Sequence, residues 1–229
     1  MNRPVRVIGT NRRSLTGQVS FLRGGTCNFE SSLERDFLMI LDFDPLVARV
    51  CEQPLTIKYL DDDQKRRQYT PDMLVTYLDD AAPILYEVKY REDLRDNWHI
   101  LKPKFQAAIR YCKQQGWSFR IVTEREIRGS GLLNNARFLR AYRDLAEDSA
   151  TATHLARTLA VLGETTPEIL LTAAYANEEK RMCALSCLWQ MIAIGRVHAD
   201  LIRPLNMSSP IWITNGEGFL WLQSPLFYR

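Results

Sequence analysis

Between residues 31 and 42, Leu33, Phe37, Ile40 and Leu41 recur at helical spacing, and Ser31 or Ser32 is available to cap the first turn. An amphipathic helix is expected there. After Asp44-Pro45 the pattern shortens to β-rich runs at 55–60, 69–78 and 84–90, which predict three strands. A second helix is expected over 103–115: Pro103 suits a first turn, Phe105, Ala108, Ile109 and Cys112 form one face, and Gly116 ends it. A strand at 117–123 and a helix at 132–145 complete an α/β unit. Three helical patterns follow at 149–162, 167–176 and 178–194, then two short strands at 196–202 and 211–214. Three helices before a β-hairpin is the winged-helix order. The expected organisation is a basic arm over 1–29, an α/β domain over 30–147 and a small winged-helix (α+β) domain over 148–229.

Composition narrows the class. With 229 residues, 46% of them hydrophobic, the chain can bury one good core or two small ones, and no apolar run reaches the roughly 20 residues of a membrane span. Cys27, Cys51, Cys112, Cys183 and Cys187 form neither CxxC pairs nor a disulfide framework, which fits a reducing cytoplasm. The net charge of +3 is small, but its distribution is informative. No acidic residue precedes Glu30, whereas Arg3, Arg6, Arg12, Arg13 and Arg23 do. This arm is suited either to tracking DNA phosphates or to a frayed, solubilising terminus.

The chemistry centres on Thr70-Pro71-Asp72 and, about fifteen residues on, Glu87-Val88-Lys89. Alternate residues of a strand share a face, so Glu87 and Lys89 point together, and a neighbouring strand can bring Asp72 beside them. Asp72, Glu87 and the Val88 backbone carbonyl are hard oxygen donors of the kind Mg²⁺ takes, with Mn²⁺ able to substitute. Such an ion can supply a water that attacks phosphorus, and Lys89 would hold or polarise that water. Ile84, Leu85, Tyr86 and Val88 predict a central strand, where charge needs a reason. Glu34, on the preceding helix, is a further candidate ligand or water-positioning group. The pattern is the PD-(D/E)xK signature of restriction-endonuclease-like α/β cores.

The blocks Glu30-Ser31-Ser32-Leu33-Glu34-Arg35-Asp36-Phe37, Glu52-Gln53-Pro54, Tyr69-Thr70-Pro71-Asp72, Glu87-Val88-Lys89 and Val122-Thr123-Glu124-Arg125-Glu126-Ile127 together resemble the TnsA family, the endonuclease subunits of heteromeric cut-and-paste transposases. The resemblance implies cleavage of the non-transferred, 5′ strands at transposon ends. It also implies a DDE transposase partner like TnsB, an AAA+ ATPase regulator like TnsC, and a bacterial, nucleoid-associated setting. Position by position it implies Glu34 as the helical acid, Asp72 as the central ligand, Glu87 as the third acidic position and Lys89 as the motif lysine. The family tolerates Gln at the position of Glu87, and Glu30, one turn before Glu34, is a lesser candidate.

Other signals have plainer readings. Asp61-Asp62-Asp63 reads as a solvated hairpin turn, and Gln53 either as a strand-entry turn or as part of a motif near the active face. His99, His154 and His198 lack ligand spacing for zinc. Met182, Cys183, Leu185, Cys187, Trp189 and Ile192 read as a core stripe, and Lys102, Lys104, Arg110 and Lys113 as a basic outer face suited to phosphate contact or, more commonly, simply solvated. From Asp148 onward there are seven acidic and six basic residues, which favours a protein partner for the tail at least as much as DNA. A stand-alone restriction or repair nuclease and a non-catalytic winged-helix DNA-binding regulator remain as rivals.

Overall fold

The computed structural model describes residues 15–21, 24–78, 81–146 and 148–213. Arg3, Arg6, Arg12, Arg13 and Arg23 all lie outside these residues, as do Thr214 and the aromatic tail after it. The chain divides into two compact units, Met1–Gly129 and Ser130–Arg229.

The first unit contains, in order, β1 (Gly17–Ser20), β2 (Thr26–Phe29), α1 (Ser32–Phe43), β3 (Val47–Glu52), β4 (Ile57–Leu60), β5 (Arg66–Tyr69), β6 (Met73–Tyr77), β7 (Ile84–Val88), α2 (Arg91–Asp96), α3 (Trp98–Gln115), β8 (Ser118–Val122) and α4 (Glu124–Arg128). Its main sheet runs β3-β6-β7-β8. The first two pairings are antiparallel and β7–β8 is parallel, so the sheet is mixed. This is an α/β unit, as expected. All five residues of β7 are buried, the signature of a strand covered on both faces. On one face Tyr86 meets Phe37 of α1 edge-to-face at 5.1 Å. On the other, Leu85 packs with Leu74, Phe105, Ala108 and Cys112, which seats α3 over the sheet. Glu87 has the same parity as Leu85, so the pleat directs it toward the α3 side.

Several local expectations are corrected. The strand expected over 69–78 is two: β5 ends at Tyr69 and pairs with β4 in a hairpin, and β6 begins at Met73 after Thr70-Pro71-Asp72. The proline has no N–H to offer a ladder, so the break falls there. The Asp61 run is the hairpin turn: Asp61 accepts from the backbone N–H groups of Asp63 and Lys65 and pairs with Arg67 at 2.8 Å. α3 starts at Trp98 rather than 103, with Pro103 in its second turn, and ends at Gly116 with φ 71. Ile109 is exposed, not on the buried face, because α3 turns Leu101, Phe105, Ala108 and Cys112 inward.

The second unit holds α5 (Leu132–Arg143), α6 (Ser149–Leu162), α7 (Pro167–Ala174), α8 (Glu178–Ala193) and the antiparallel pair β9 (His198–Ala199) and β10 (Ile211–Trp212). Asp148, Thr166 and Asn177 cap α6, α7 and α8 by accepting from Thr151, Ile169 and Lys180 N–H. α8 packs against α5, α6 and α7, so α5 groups with the tail helices and the division falls at 129/130, ahead of the expected 147. Asn135 on α5 secures this arrangement. Its buried amide donates to the carbonyls of Leu201 and Arg203 and accepts from Leu205 N–H, leaving nothing unsatisfied. Gly131 lies so close to Arg203 that a Cβ there would sit 2.7 Å from the Arg203 carbonyl carbon. Of the expected stripe on α8, Cys187, Trp189 and Ile192 are buried, whereas Met182 and Cys183 are exposed near the helix start.

Candidate active site

Asp72 directly precedes β6, and its Oδ2 accepts from Val88 N–H at 2.7 Å, which ties the head of β6 to the end of β7. Lys89 follows β7, and its backbone N–H donates to Val122 O at 3.1 Å, continuing the ladder toward β8. Its ammonium lies 3.6 Å from Glu87 Oε1. Glu87 and Lys89 thus meet at the end of β7, and Asp72, from the segment leading into β6, reaches the same place through the Val88 N–H.

Glu87 is only 1% exposed. An isolated carboxylate in that position would be prohibitively desolvated, so its partners matter. Tyr69 Oη donates to its Oε2 at 2.6 Å, and Lys104 Nζ contacts Oε1 at 2.9 Å, closer than Lys89. Lys104 also stands over the Tyr69 ring, 4.6 Å from its centroid. Lys104 is therefore not part of a solvated basic face, although Lys102, Arg110 and Lys113 are exposed. The helical period alone placed all four outside. A signal was present in the sequence, since Lys104 sits between the buried Pro103 and Phe105, flush with the apolar face.

Glu34 occupies the first turn of α1. Ser31 Oγ caps its N–H, while its own oxygens accept from Glu30 N–H at 2.9 Å and Ser31 Oγ–H at 2.8 Å. It thus holds the helix start as well as facing the cluster. Gln53, just past β3, has φ 42, outside the usual range for a residue with a side chain. Its N–H donates to Asp72 O at 2.8 Å, and its Nε2 donates to Glu30 Oε1 at 3.2 Å.

The electrostatics join these residues. Burial, then the neighbouring Glu87 and Glu34 charges, push the Asp72 carboxyl well above the usual carboxylate range against the pull of Lys89 and the Val88 N–H. Burial likewise raises Glu34. Burial works against the Lys89 ammonium, but Asp72, Glu87 and Glu34 outweigh it and hold Lys89 above its ordinary value. Burial beside Glu87 drives the Tyr69 phenol far upward, so it remains a donor. Three carboxyl groups gather beside two lysines in a shielded place, and carboxyl oxygens are the donors a hard divalent cation prefers. Among the described residues no three His, Cys, Asp or Glu side chains form a group able to hold a metal ion as they are placed. Glu34 is bonded to its helix start, and Glu87 to Tyr69 and Lys104.

The last motif block is structural in part. Thr123 and Glu126 form a capping box at α4, and Glu124 accepts from Arg91 N–H at the start of α2. Arg128 then ion-pairs at 2.8 Å with Asp36, whose side chain is 3% exposed, joining α4 to α1.

A mixed α/β domain with acids and lysines gathered at the ends of its central strands is consistent with an α/β nuclease-like fold. Residues 44–124 match the family model described as TnsA-like endonuclease N terminal, a stretch running from the end of α1 through β8. Over these residues the chain is similar to the N-terminal domain of TnsA-like endonucleases, which supports a TnsA-like family member. Asp72, Glu87, Lys89, Tyr69 and Lys104 lie inside the match, and Glu34 lies before it. No curated protein matches the chain.

Proposed function

We propose that this chain is the endonuclease subunit of a TnsA-like transposase, hydrolysing the non-transferred, 5′ strands at transposon ends with Mg²⁺, or Mn²⁺ in its place. The observation that carries the proposal is the joining of the two motif halves: Asp72 accepts from Val88 N–H while Lys89 lies against Glu87. Asp72, Glu87 and the Val88 carbonyl would hold the cation, with Glu34 assisting. When bound, a divalent cation supplies Lewis-acid polarisation of the phosphate and a water of lowered pKa. Asp72 and Glu34, both disfavoured as bare carboxylates, gain a compensating charge. Lys89, held protonated by the three acids, can orient the attacking water and neutralise charge that develops on the phosphate oxygens. The cluster is the PD-(D/E)xK core of this reading, and Tyr69 and Lys104 fix Glu87 within it.

The remaining parts follow the same scheme. Arg3, Arg6, Arg12, Arg13 and Arg23 contribute basic charge toward double-stranded DNA, the unit that ends at Gly129 is the nuclease domain, and the unit from Ser130 onward is a winged-helix domain. The balanced charge of this last segment favours docking to a transposase or ATPase partner. A cytoplasmic protein is implied, and among the described residues no helix is long and apolar enough to cross a membrane.

The test is strand-resolved cleavage of a labelled transposon-end duplex by the chain together with its DDE transposase. Cuts on the 5′ strands that need Mg²⁺ or Mn²⁺ and vanish in Asp72→Ala and Lys89→Ala are expected. Cuts made equally well without the transposase would favour a stand-alone nuclease. Metal-independent DNA binding unaffected by Asp72→Ala, with no cleavage under any condition, would favour a regulator.

A further inference from the structure

Among the described residues, Gln53 Oε1 is a buried side-chain oxygen with no hydrogen-bond partner. Buried acceptors rarely go unpaired, and each exception calls for an explanation such as an ion that belongs there. Its setting rules out a simple rotation of the amide. Nε2 is the atom that donates to the Glu30 carboxylate at 3.2 Å, and the reversed amide would set oxygen against oxygen. The backbone is also over-determined, with φ 42 held by the bond from Gln53 N–H to Asp72 O. Strain of this kind persists where surrounding contacts impose it, and it gathers at functional sites. Gln53 is thereby pinned between the segment carrying Asp72 and the one carrying Glu30, whose N–H is bonded to Glu34.

We propose that Gln53 supplies a neutral oxygen donor to the divalent cation held by Asp72 and Glu34. This rests on the nuclease reading above and adds a residue to it. An amide oxygen is a hard donor of the type such cations accept alongside carboxylates. It also adds no negative charge to a place already crowded with carboxyl groups. Gln53 thus has two separable roles: its NH₂ steadies Glu30, and its oxygen is reserved for the cation.

The full chain with a short duplex present is titrated with Mn²⁺, and free Mn²⁺ is followed by its paramagnetic resonance signal. The native protein is compared with Asp72→Ala, Gln53→Met and Gln53→Glu. Gln53→Met keeps the length but has no oxygen, and a loss of Mn²⁺ affinity of about tenfold or more is expected. Gln53→Glu keeps an oxygen and loses the NH₂, and affinity within about threefold of native is expected on the same footing. In EDTA, Gln53→Met should melt close to the native chain, because relief of the unpaired buried acceptor offsets loss of the NH₂ bond to Glu30. Gln53→Ala gives the same comparison if Met is not accommodated. Equal losses in Met and Glu variants would assign Gln53 to supporting Glu30 alone and overturn the proposal. Native-like binding by Gln53→Met, with binding lost in Asp72→Ala, would overturn it while leaving the nuclease reading intact. Absence of binding in the native chain would overturn both.

Discussion

Lys104→Met separates a clamp on the buried Glu87 carboxylate from an ordinary surface lysine. The ammonium of Lys104 is 2.9 Å from Glu87 Oε1, with side chains 18% and 1% exposed. Breaking a buried pair by removing one partner costs about 3–5 kcal/mol, because the remaining charge is left desolvated. Here the loss is smaller. Lys89 at 3.6 Å and Tyr69 Oη at 2.6 Å still face Glu87, and Met retains the aliphatic stem over the Tyr69 ring. A destabilisation of about 2–3 kcal/mol is the expected outcome, against about 0.5 kcal/mol or less for a solvated surface site. Urea unfolding of the first unit, followed by fluorescence at neutral pH in EDTA, measures it. A double-mutant cycle with Glu87→Gln isolates the pair and should give a coupling of about 2 kcal/mol. A coupling below about 0.5 kcal/mol would refute the assignment and return Lys104 to the solvated face.

Three further outcomes are expected. Asp72→Asn removes a charge that burial, Glu87 and Glu34 disfavour, so in EDTA at neutral pH it should melt higher than the native chain. Because the folded Asp72 pKa is raised, folding takes up protons, and native stability falls as pH rises from the ordinary carboxylate range through that raised value; the gap to Asp72→Asn should accordingly close at low pH. Burial lowers the pKa of His198, which stacks on Trp212 at 6.1 Å. Its contribution is complete above the ordinary value of 6.5 and is lost as pH falls through the folded pKa, so urea midpoints of the second unit should drop on acidification in the native chain and stay flat in His198→Phe. Arg128→Met removes one of the two guanidinium groups paired with Asp36, keeps the Arg35 pair, and should cost about 1–2 kcal/mol by urea unfolding, with no change expected in the circular dichroism of the folded chain.

Much of this arrangement was legible in the residues, for identifiable reasons. The period of Leu33, Phe37, Ile40 and Leu41 gave α1, and the unbroken apolar run around Glu87 gave a central strand. Strand parity then put Glu87 and Lys89 on one side. What escaped were elements too short to show a period: β1 and β2 with four residues each, and α4 with five. β3 was missed because Val47–Glu52 carries two arginine or alanine positions open to solvent where alternation would be read. Long-range pairing was invisible for a different reason. That Lys104 turns to Glu87, and that Asn135 groups α5 with the second unit, depend on which helix covers which face. Local pattern does not contain that information. Gln53 stood in a recognised motif, but its unpaired oxygen is a fact of three dimensions.

The most direct test of the central claim is calorimetric titration of Mn²⁺ into the full chain with a short duplex, beside folded Asp72→Ala and Glu87→Ala variants. Binding by the native chain that is lost in Asp72→Ala and weakened or lost in Glu87→Ala is the predicted result. Equal binding by all three, or binding by none, would contradict a metal-dependent nuclease site at these residues.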